Sequence, residues 1–409
     1  MSLAVLLAAA DEPWESTVAQ DVQQVPGLHL ARRCVDVADV VATAASGRAD
    51  VALLSMRLPG LDVDVVRRLR ESGAVPVVVA PTRDQVDAAR ATALGVAAVV
   101  GVDDVVDLPR VVEDARAGAD EPPAPGAEPG HGRVVTVWGP TGAPGRSTVA
   151  VGLASEAAHL GIPTLLVDAD VHGGAVAPML AMLDEVSGLL AAARAANAGG
   201  LDAAGLASHS REVVPGLTVL TGLPRADRWP ALRPAAFDAV LEVARTTAAL
   251  VVVDVGFDLD GGDDELGSAA PRRTATALAA LDRADTVVAV GSADPLGLAR
   301  LTRGLHDLRE VVPARAPLVV VNRVRDSLGW DTDEVSRSIE RFTGVAPSAF
   351  LRDDRAAVDR AWVHGQALVE CAPDAPLRRD LAELTRQVVV RDGPLPGRTR
   401  SRRRRRPLA

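Results

Sequence analysis

The residues most able to do chemistry lie between a valine-rich run and a helix: Trp138-Gly139-Pro140-Thr141-Gly142-Ala143-Pro144-Gly145-Arg146-Ser147-Thr148. A turn rich in Gly and Pro at that place leaves backbone N–H groups free to converge on an anion, and the start of the helix adds its dipole. Its general form is G-x-x-x-x-G-K-[ST], in which the lysine reaches outer phosphates and the hydroxyl holds a magnesium ion. Here Gly145 and Ser147 are in place, Pro140 fills the first glycine position and Arg146 the lysine position. Arginine keeps the charge, but its planar fork is bulkier and does not substitute conservatively at a tight phosphate site. Two readings follow: a cradle that still takes phosphates, or a loop that has lost its nucleotide. The chain has no lysine or tyrosine at all, so compositional drift contributes to the exchange.

Carboxylates are placed to work with this loop. The apolar run PTLLVDADVHGG carries Asp168 and Asp170 at its end, and AALVVVDVG ends at Asp254. Acids beside a phosphate loop can position a magnesium ion and an attacking water. A further run, APLVVVNRVRDS, ends at Asn322-Arg323; Asn322 is one of only two asparagines, with Asn197, and its amide could read a purine edge. Ligands of wound α/β sheets bind beyond the carboxyl ends of the strands. Gly142–Thr148, Asp170, Asp254 and Asn322 are therefore predicted to share one crevice.

The elements that must position these groups are legible as strands and helices in alternation. Val134–Val137 reads as a buried parallel strand, and STVAVGLASEAAHL as a helix ending at Gly161. Earlier in the chain LAVLLAA, LHLA, VALLS, VPVVVA and AAVVGV alternate with helical stretches at Val35–Ser46, Val63–Ser72 and Gln85–Ala93. The fold class predicted is α/β: two doubly wound, mainly parallel domains. With 409 residues, two domains are expected in any case. The boundaries read as 1–116, a Pro/Gly-rich linker over 117–132, a second domain over 133–390 and a tail over 391–409.

Composition narrows the function classes. Hydrophobic residues make up 48% and aromatics 2%, which suits parallel sheets under helices rather than sandwiches. Cys34 and Cys371 lack metal-ligand spacing, so disulfide and zinc frameworks are disfavoured. His131, His159, His172 and His209 have no paired spacing and read as loop or surface residues. The opening MSLAVLLAAADEPW lacks a basic leader and reads as a first strand, and no apolar run reaches the roughly 18 residues of a membrane span. These features point to a cytoplasmic protein. The net charge of −10 hides an asymmetry, because the tail from Arg391 carries eight arginines against one aspartate. Such a tail can meet DNA, an anionic lipid surface or the acidic body of the protein, or simply stay solvated.

Residues 3–117 resemble a response-regulator receiver domain, above all in ADVALLSMRLPGLDVDVVRRLRE with its Leu58-Pro59-Gly60 turn. The resemblance puts Ser55 at the phosphoacceptor aspartate, leaves only Asp11 and Glu12 of the acidic cluster, and places Pro81 and Val102 at the Ser/Thr and lysine positions. It implies a pseudo-receiver used for docking or dimerisation.

Residues 133–390 resemble the MinD/ParA family of deviant-Walker ATPases, through the order of phosphate loop, D-A-D, valine-rich strand ending in Asp, A-D-T-V-V-A-V, V-N-R and F-L-R-D-D. With a pseudo-receiver in front, the chain is similar to the CpaE/TadZ branch, which localises pilus-assembly machinery. The resemblance implies ATP and Mg2+ as cofactors, with phosphates on Gly142, Ala143, Gly145, Arg146, Ser147 and Thr148. It puts the metal on Ser147, Asp170 and Asp254, with Asp170 positioning water and Asp254 as the second catalytic acid, and the base against Asn322 and Arg323. The family's signature lysine position is Thr141, so both lysines are absent. A cation at that transition state is worth on the order of 10³–10⁵ in rate, so hydrolysis is expected to be slow or absent. The implied partners are a second copy of the chain and pilus, secretion or division proteins, with recruitment to membrane or pole. Alternatives are a partition or septum-site protein touching DNA or anionic membrane through Arg398–Arg406, and a non-catalytic scaffold.

Overall fold

The valine-rich runs form strands in two separate parallel sheets. The computed structural model describes residues 2–81, 90–96, 98–119, 131–182, 186–260 and 272–391. It divides into two compact units that are not contiguous in sequence: Met1–Gly126 with Leu190–Leu206 and Leu232–Val240, and the remainder. Most of the 117–132 linker and the Arg398–Arg406 cluster lie outside the described residues; the linker's first three residues continue the helix Leu108–Ala119.

In the first unit β1 (Leu3–Ala8), β2 (Leu28–Arg33), β3 (Val51–Ser55), β4 (Val75–Ala80) and β5 (Ala98–Gly101) pair in parallel in the order β2-β1-β3-β4-β5, one of the common doubly wound orders. Successive side chains point to opposite faces, so each strand feeds two cores. Leu6, Ala8, Ala52, Leu54 and Val78 pack on helices Val37–Ala45 and Val63–Glu71. Val5, Leu7, Leu53, Val77 and Val79 pack on helices Glu15–Gln24 and Leu108–Ala119. The helix read at Val35–Ser46 starts two residues later, because Asp36 caps it by accepting from the Asp39 N–H (2.8 Å). The Gln85–Ala93 helix is helical from Arg90; its earlier part lies outside the described residues.

In the second unit eight strands lie in the order β13-β12-β11-β6-β10-β7-β9-β8. They are β6 (Arg133–Trp138), β7 (Thr164–Ala169), β8 (Arg211–Val214), β9 (Leu217–Leu220), β10 (Leu250–Val255), β11 (Thr286–Ser292), β12 (Leu318–Val324) and β13 (Ala349–Arg352). All pair in parallel except β8 with β9. That antiparallel pair, turning at Pro215-Gly216, was not anticipated, although alternation around a Pro-Gly pair is its signal. The chain winds outward from β6 through β7, returns to β10, then continues through β11 to β13 on the other side of β6. Ligand crevices form where such winding reverses.

The helix Arg146–His159 after β6 is buried over every residue from Val149 to Ala158, which its small Ala, Gly and Val side chains permit. Helix Pro376–Arg391 packs so closely that a methyl at Gly152 would lie 2.6 Å from Leu381 Cδ1. Glu156, pushed upward by burial, is met by Arg378, whose Nε and Nη2 donate to its two oxygens at 2.7 and 2.9 Å. No helix among the described residues is long and apolar enough to cross a membrane.

Candidate phosphate-binding site

The loop between β6 and its helix is held in a shape that its glycines permit. A side chain at Gly139 would collide with the Val290 carbonyl of β11, and Gly142 and Gly145 adopt φ of 104° and 102°. Ala143 also takes a positive φ, 52°, a conformation disfavoured for a residue with a Cβ. Pro140 and Pro144 remove two potential N–H donors from the loop. The helix begins hydrogen bonding with Val149 N–H to Gly145 C=O (3.0 Å), which leaves the N–H groups of Arg146, Ser147 and Thr148 as the free first turn.

Asn322, at the end of β12, buttresses this loop. Its Nδ2 donates to the Pro144 carbonyl (2.8 Å), its Oδ1 accepts from the Arg323 N–H (2.8 Å), and a methyl at Gly145 would strike its amide. Arg323 itself sits at φ 60°. An amide can make four hydrogen bonds, so one N–H and one lone pair remain for a ligand.

Arg146 folds back over the loop. Its Nη1 donates to the Gly139 and Pro140 carbonyls, both at 3.2 Å, and its Nη2 approaches Asp170 Oδ2 at 3.4 Å. Asp170 also accepts from the His172 N–H (2.9 Å). His172 is on a loop as expected but turned inward, its ring 4.9 Å from that of Phe257; burial and the nearby Arg273 hold it below the usual histidine value.

Asp168 and Asp254 are register partners on β7 and β10, so their carboxylates share one side of the sheet. Asp168 is tied into the structure by the Val176 N–H (3.1 Å), and burial pushes its carboxyl up to about 7. Asp254 is fully enclosed, and neither oxygen has a hydrogen-bond partner among the described residues. Burial, then the neighbouring Asp168, hold it well above the carboxylate range, and the Ser147 hydroxyl with Arg146 offsets only part of this. Two orphaned carboxylate oxygens near a hydroxyl fit a hard cation such as Mg2+, which completes its shell with water and phosphate oxygens. Among the described residues no cluster of three or more His, Cys, Asp or Glu side chains is placed to cage a metal ion by itself.

Clefts open on either side of the loop. One of about 380 Å3 is lined by Gly145, Thr148, Asn322, Arg323, Arg352 and Arg355. The other, about 470 Å3, is lined by Trp138, Pro140, Thr141, Phe257, Arg300 and Asp307. Arg300 escaped the sequence reading, since nothing local marks one arginine among many.

No protein-family model and no curated protein matches the sequence. Solved structures do. A ParA family ATPase from Chlorobium tepidum TLS superposes with a TM-score of 0.52 at 18% identity, covering 62% of this chain and 98% of its own. The cell division ATPase MinD of Pyrococcus furiosus gives 0.50 at 16% identity, covering 63% and 98%. Over the matched part of the chain the fold is that of the ParA and MinD ATPases. On this ParA/MinD fold the structure brings Arg146, Asp170, Asp254 and Asn322 to the strand ends around one loop, with Ser147 and Thr148 opening its helix. At the two positions where lysines are expected stand Arg146, turned onto Asp170, and Thr141, at the edge of the larger cleft.

Proposed function

We propose that the second unit binds ATP with Mg2+ and uses the bound state for assembly, with hydrolysis slow or absent. Its role would be that of a CpaE/MinD-like localisation or assembly factor for pilus or secretion machinery, acting as a homodimer. The observation that carries this is the enclosed carboxylate of Asp254, neither oxygen of which has a well-formed hydrogen bond among the described residues, with the Ser147 hydroxyl bearing on it; its charged form is costly to bury without a cation. Ser147 and Asp254 would hold the metal, and a bound Mg2+ supplies charge neutralisation of phosphate oxygens. The N–H groups from Gly142 to Thr148 would take the phosphates, and Asn322 and Arg323 the base. Arg146 would leave Asp170 for the phosphates, freeing Asp170 to orient a water or a further ligand of the metal. The pairing of Arg146 with Asp170, together with Thr141, supports weak turnover.

The reading of the first unit as a pseudo-receiver draws on the end of β3. Ser55 Oγ donates to Glu12 (3.4 Å), Arg57 Nε lies 3.6 Å from the same carboxylate, and Val102 opens a 3-10 helix where a lysine is expected. A hydroxyl and a solvent-exposed guanidinium thus stand where phosphotransfer would need a carboxylate and a metal.

Isothermal titration of the full chain with ATP tests the proposal. Binding that requires Mg2+ and is accompanied by little phosphate release is the expected result. No binding at millimolar nucleotide would leave the non-catalytic scaffold.

A further inference from the structure

We propose that Arg300 supplies, from the helix Pro295–Val311, the cation that the loop lacks at Thr141, and that it binds the outermost phosphate of a nucleoside triphosphate. This rests on the nucleotide-binding reading above and adds to it a residue outside the loop motif.

Arg300 lies against the loop backbone beside Thr141. A methyl built on Gly142 would collide with its Nη1 and come within 3.2 Å of its Cζ. Glycine at 142 therefore serves two ends, a positive φ and room for a guanidinium.

The helix that carries Arg300 is rigidly seated. Asp294 caps it by accepting from the Gly297 N–H (2.9 Å), and Leu298, Leu301, Leu305 and Leu308 are buried. At Gly304 the helix approaches the end of β6 so closely that a methyl would lie 2.8 Å from Trp138 Cη2 and 3.3 Å from Pro140 Cβ. Such an element fixes the backbone of Arg300 relative to the loop.

Arg300 is half-buried, yet among the described residues it forms no hydrogen bond or ion pair, although Asp258, Asp307 and Glu310 line the same cleft. Arg146, by contrast, is committed to the Gly139 and Pro140 carbonyls and to Asp170. Among the described residues Arg300 is thus an unengaged cation that lies against the loop backbone itself, while Arg303 on the same helix lines the same cleft. An unpaired, partly desolvated guanidinium in contact with a phosphate cradle has the planar donor fork that phosphate oxygens accept.

The geometry also sets which phosphate it meets. Thr148 and Asn322 line one cleft and Thr141 and Arg300 the other, with the loop between them. A nucleotide with its base on the Asn322 side runs its phosphates along the loop N–H groups toward Thr141. The terminal phosphate of a triphosphate then reaches Arg300, and a diphosphate stops short of it.

The test is titration of the full chain with Mg-ATP and with Mg-ADP. Arg300→Ala should weaken Mg-ATP binding by about tenfold or more, the scale of one charge-assisted hydrogen bond, and Mg-ADP binding by less than about twofold. Arg300→Lys should retain most of the affinity, and Thr141→Lys added to Arg300→Ala should restore it. Unchanged Mg-ATP affinity in Arg300→Ala overturns the proposal and leaves the nucleotide reading standing. Equal losses for both nucleotides, without rescue by Thr141→Lys, assign Arg300 a structural role and overturn it too. Wild-type protein that binds neither nucleotide removes the nucleotide reading and this proposal with it. Thermal unfolding of each variant checks folding; if Arg300→Ala is unfolded, Arg300→Gln takes its place in the same comparison.

Discussion

The two units treat buried acid in opposite ways. In the first, Asp64 on helix Val63–Glu71 is almost fully enclosed, but Arg67 (2.7 Å), Arg68 (3.0 Å) and Arg233 (2.7 Å) surround it. Burial pushes its carboxyl up, and the three arginines outweigh that and hold it below the usual range. In the second unit Asp168 and Asp254 are as deeply buried, yet they are lifted, because burial and the neighbouring acids outweigh what backbone N–H groups, Ser147 and Arg146 offset. One wound sheet has internalised its countercharges. The other leaves its acids beside the loop proposed to take phosphates, and under that proposal the difference separates a charge used for cohesion from one kept for a ligand.

The comparison breaks most readily at Asp64. Asp64→Ala removes an acceptor shared by three half-exposed arginines, of which Arg67 keeps Glu71, and should cost about 2 kcal/mol of folding stability in urea unfolding, the scale of a charge-assisted hydrogen bond. The pH dependence has a definite sign. A depressed carboxyl contributes stability above its unfolded pKa of about 3.9, and that contribution is lost as pH falls through this value toward the lower folded one. The wild type should therefore lose stability below about pH 4 more steeply than Asp64→Ala. Equal acid slopes would show that the arginines do not act on this carboxylate.

At Asp254 the sign reverses. Asp254→Asn removes a buried acid whose charged form is disfavoured without a metal, so metal-free protein should keep its stability or gain about 1 kcal/mol. The same change should abolish any stabilisation by Mg-ATP in thermal unfolding. If Asp254→Asn is instead clearly less stable without magnesium, the carboxylate belongs to the fold and the contrast between the units disappears.

Much of this was readable from sequence because valine runs and strand-end acids are local signals. The runs ending at Asp168, Asp254 and Asn322 are β7, β10 and β12, and the phosphate loop lies between β6 and a helix that starts at Arg146. Side-chain direction and long-range contact were not readable. Asn322 and the Pro144 carbonyl it holds are 178 residues apart, so a residue read as a base contact is also a strut of the loop. The turn of Arg146 onto Asp170 and the approach of Arg300 to Gly142 depend likewise on how β7 and the helix after β11 lie around β6. The β8–β9 pair was missed because its strands are only four residues each.

The smallest expected effect falls at the end of β3, and it sharpens the comparison from the other side. Ser55→Asp would place a carboxylate beside Glu12, with Arg57 already at 3.6 Å from Glu12 and able to neutralise the pair. A metal ion attracted there would have to compete with that guanidinium. No lysine follows on β5, where Val102 begins a 3-10 helix, and Pro81 offers no hydroxyl. Incubation of Ser55→Asp with acetyl phosphate and Mg2+ should therefore give no phosphorylated species by intact mass. A phosphorylated product would mean that one carboxylate suffices to recover the chemistry. The first unit would then be a switch one substitution from function, and the Arg57 countercharge would not be what closed the site.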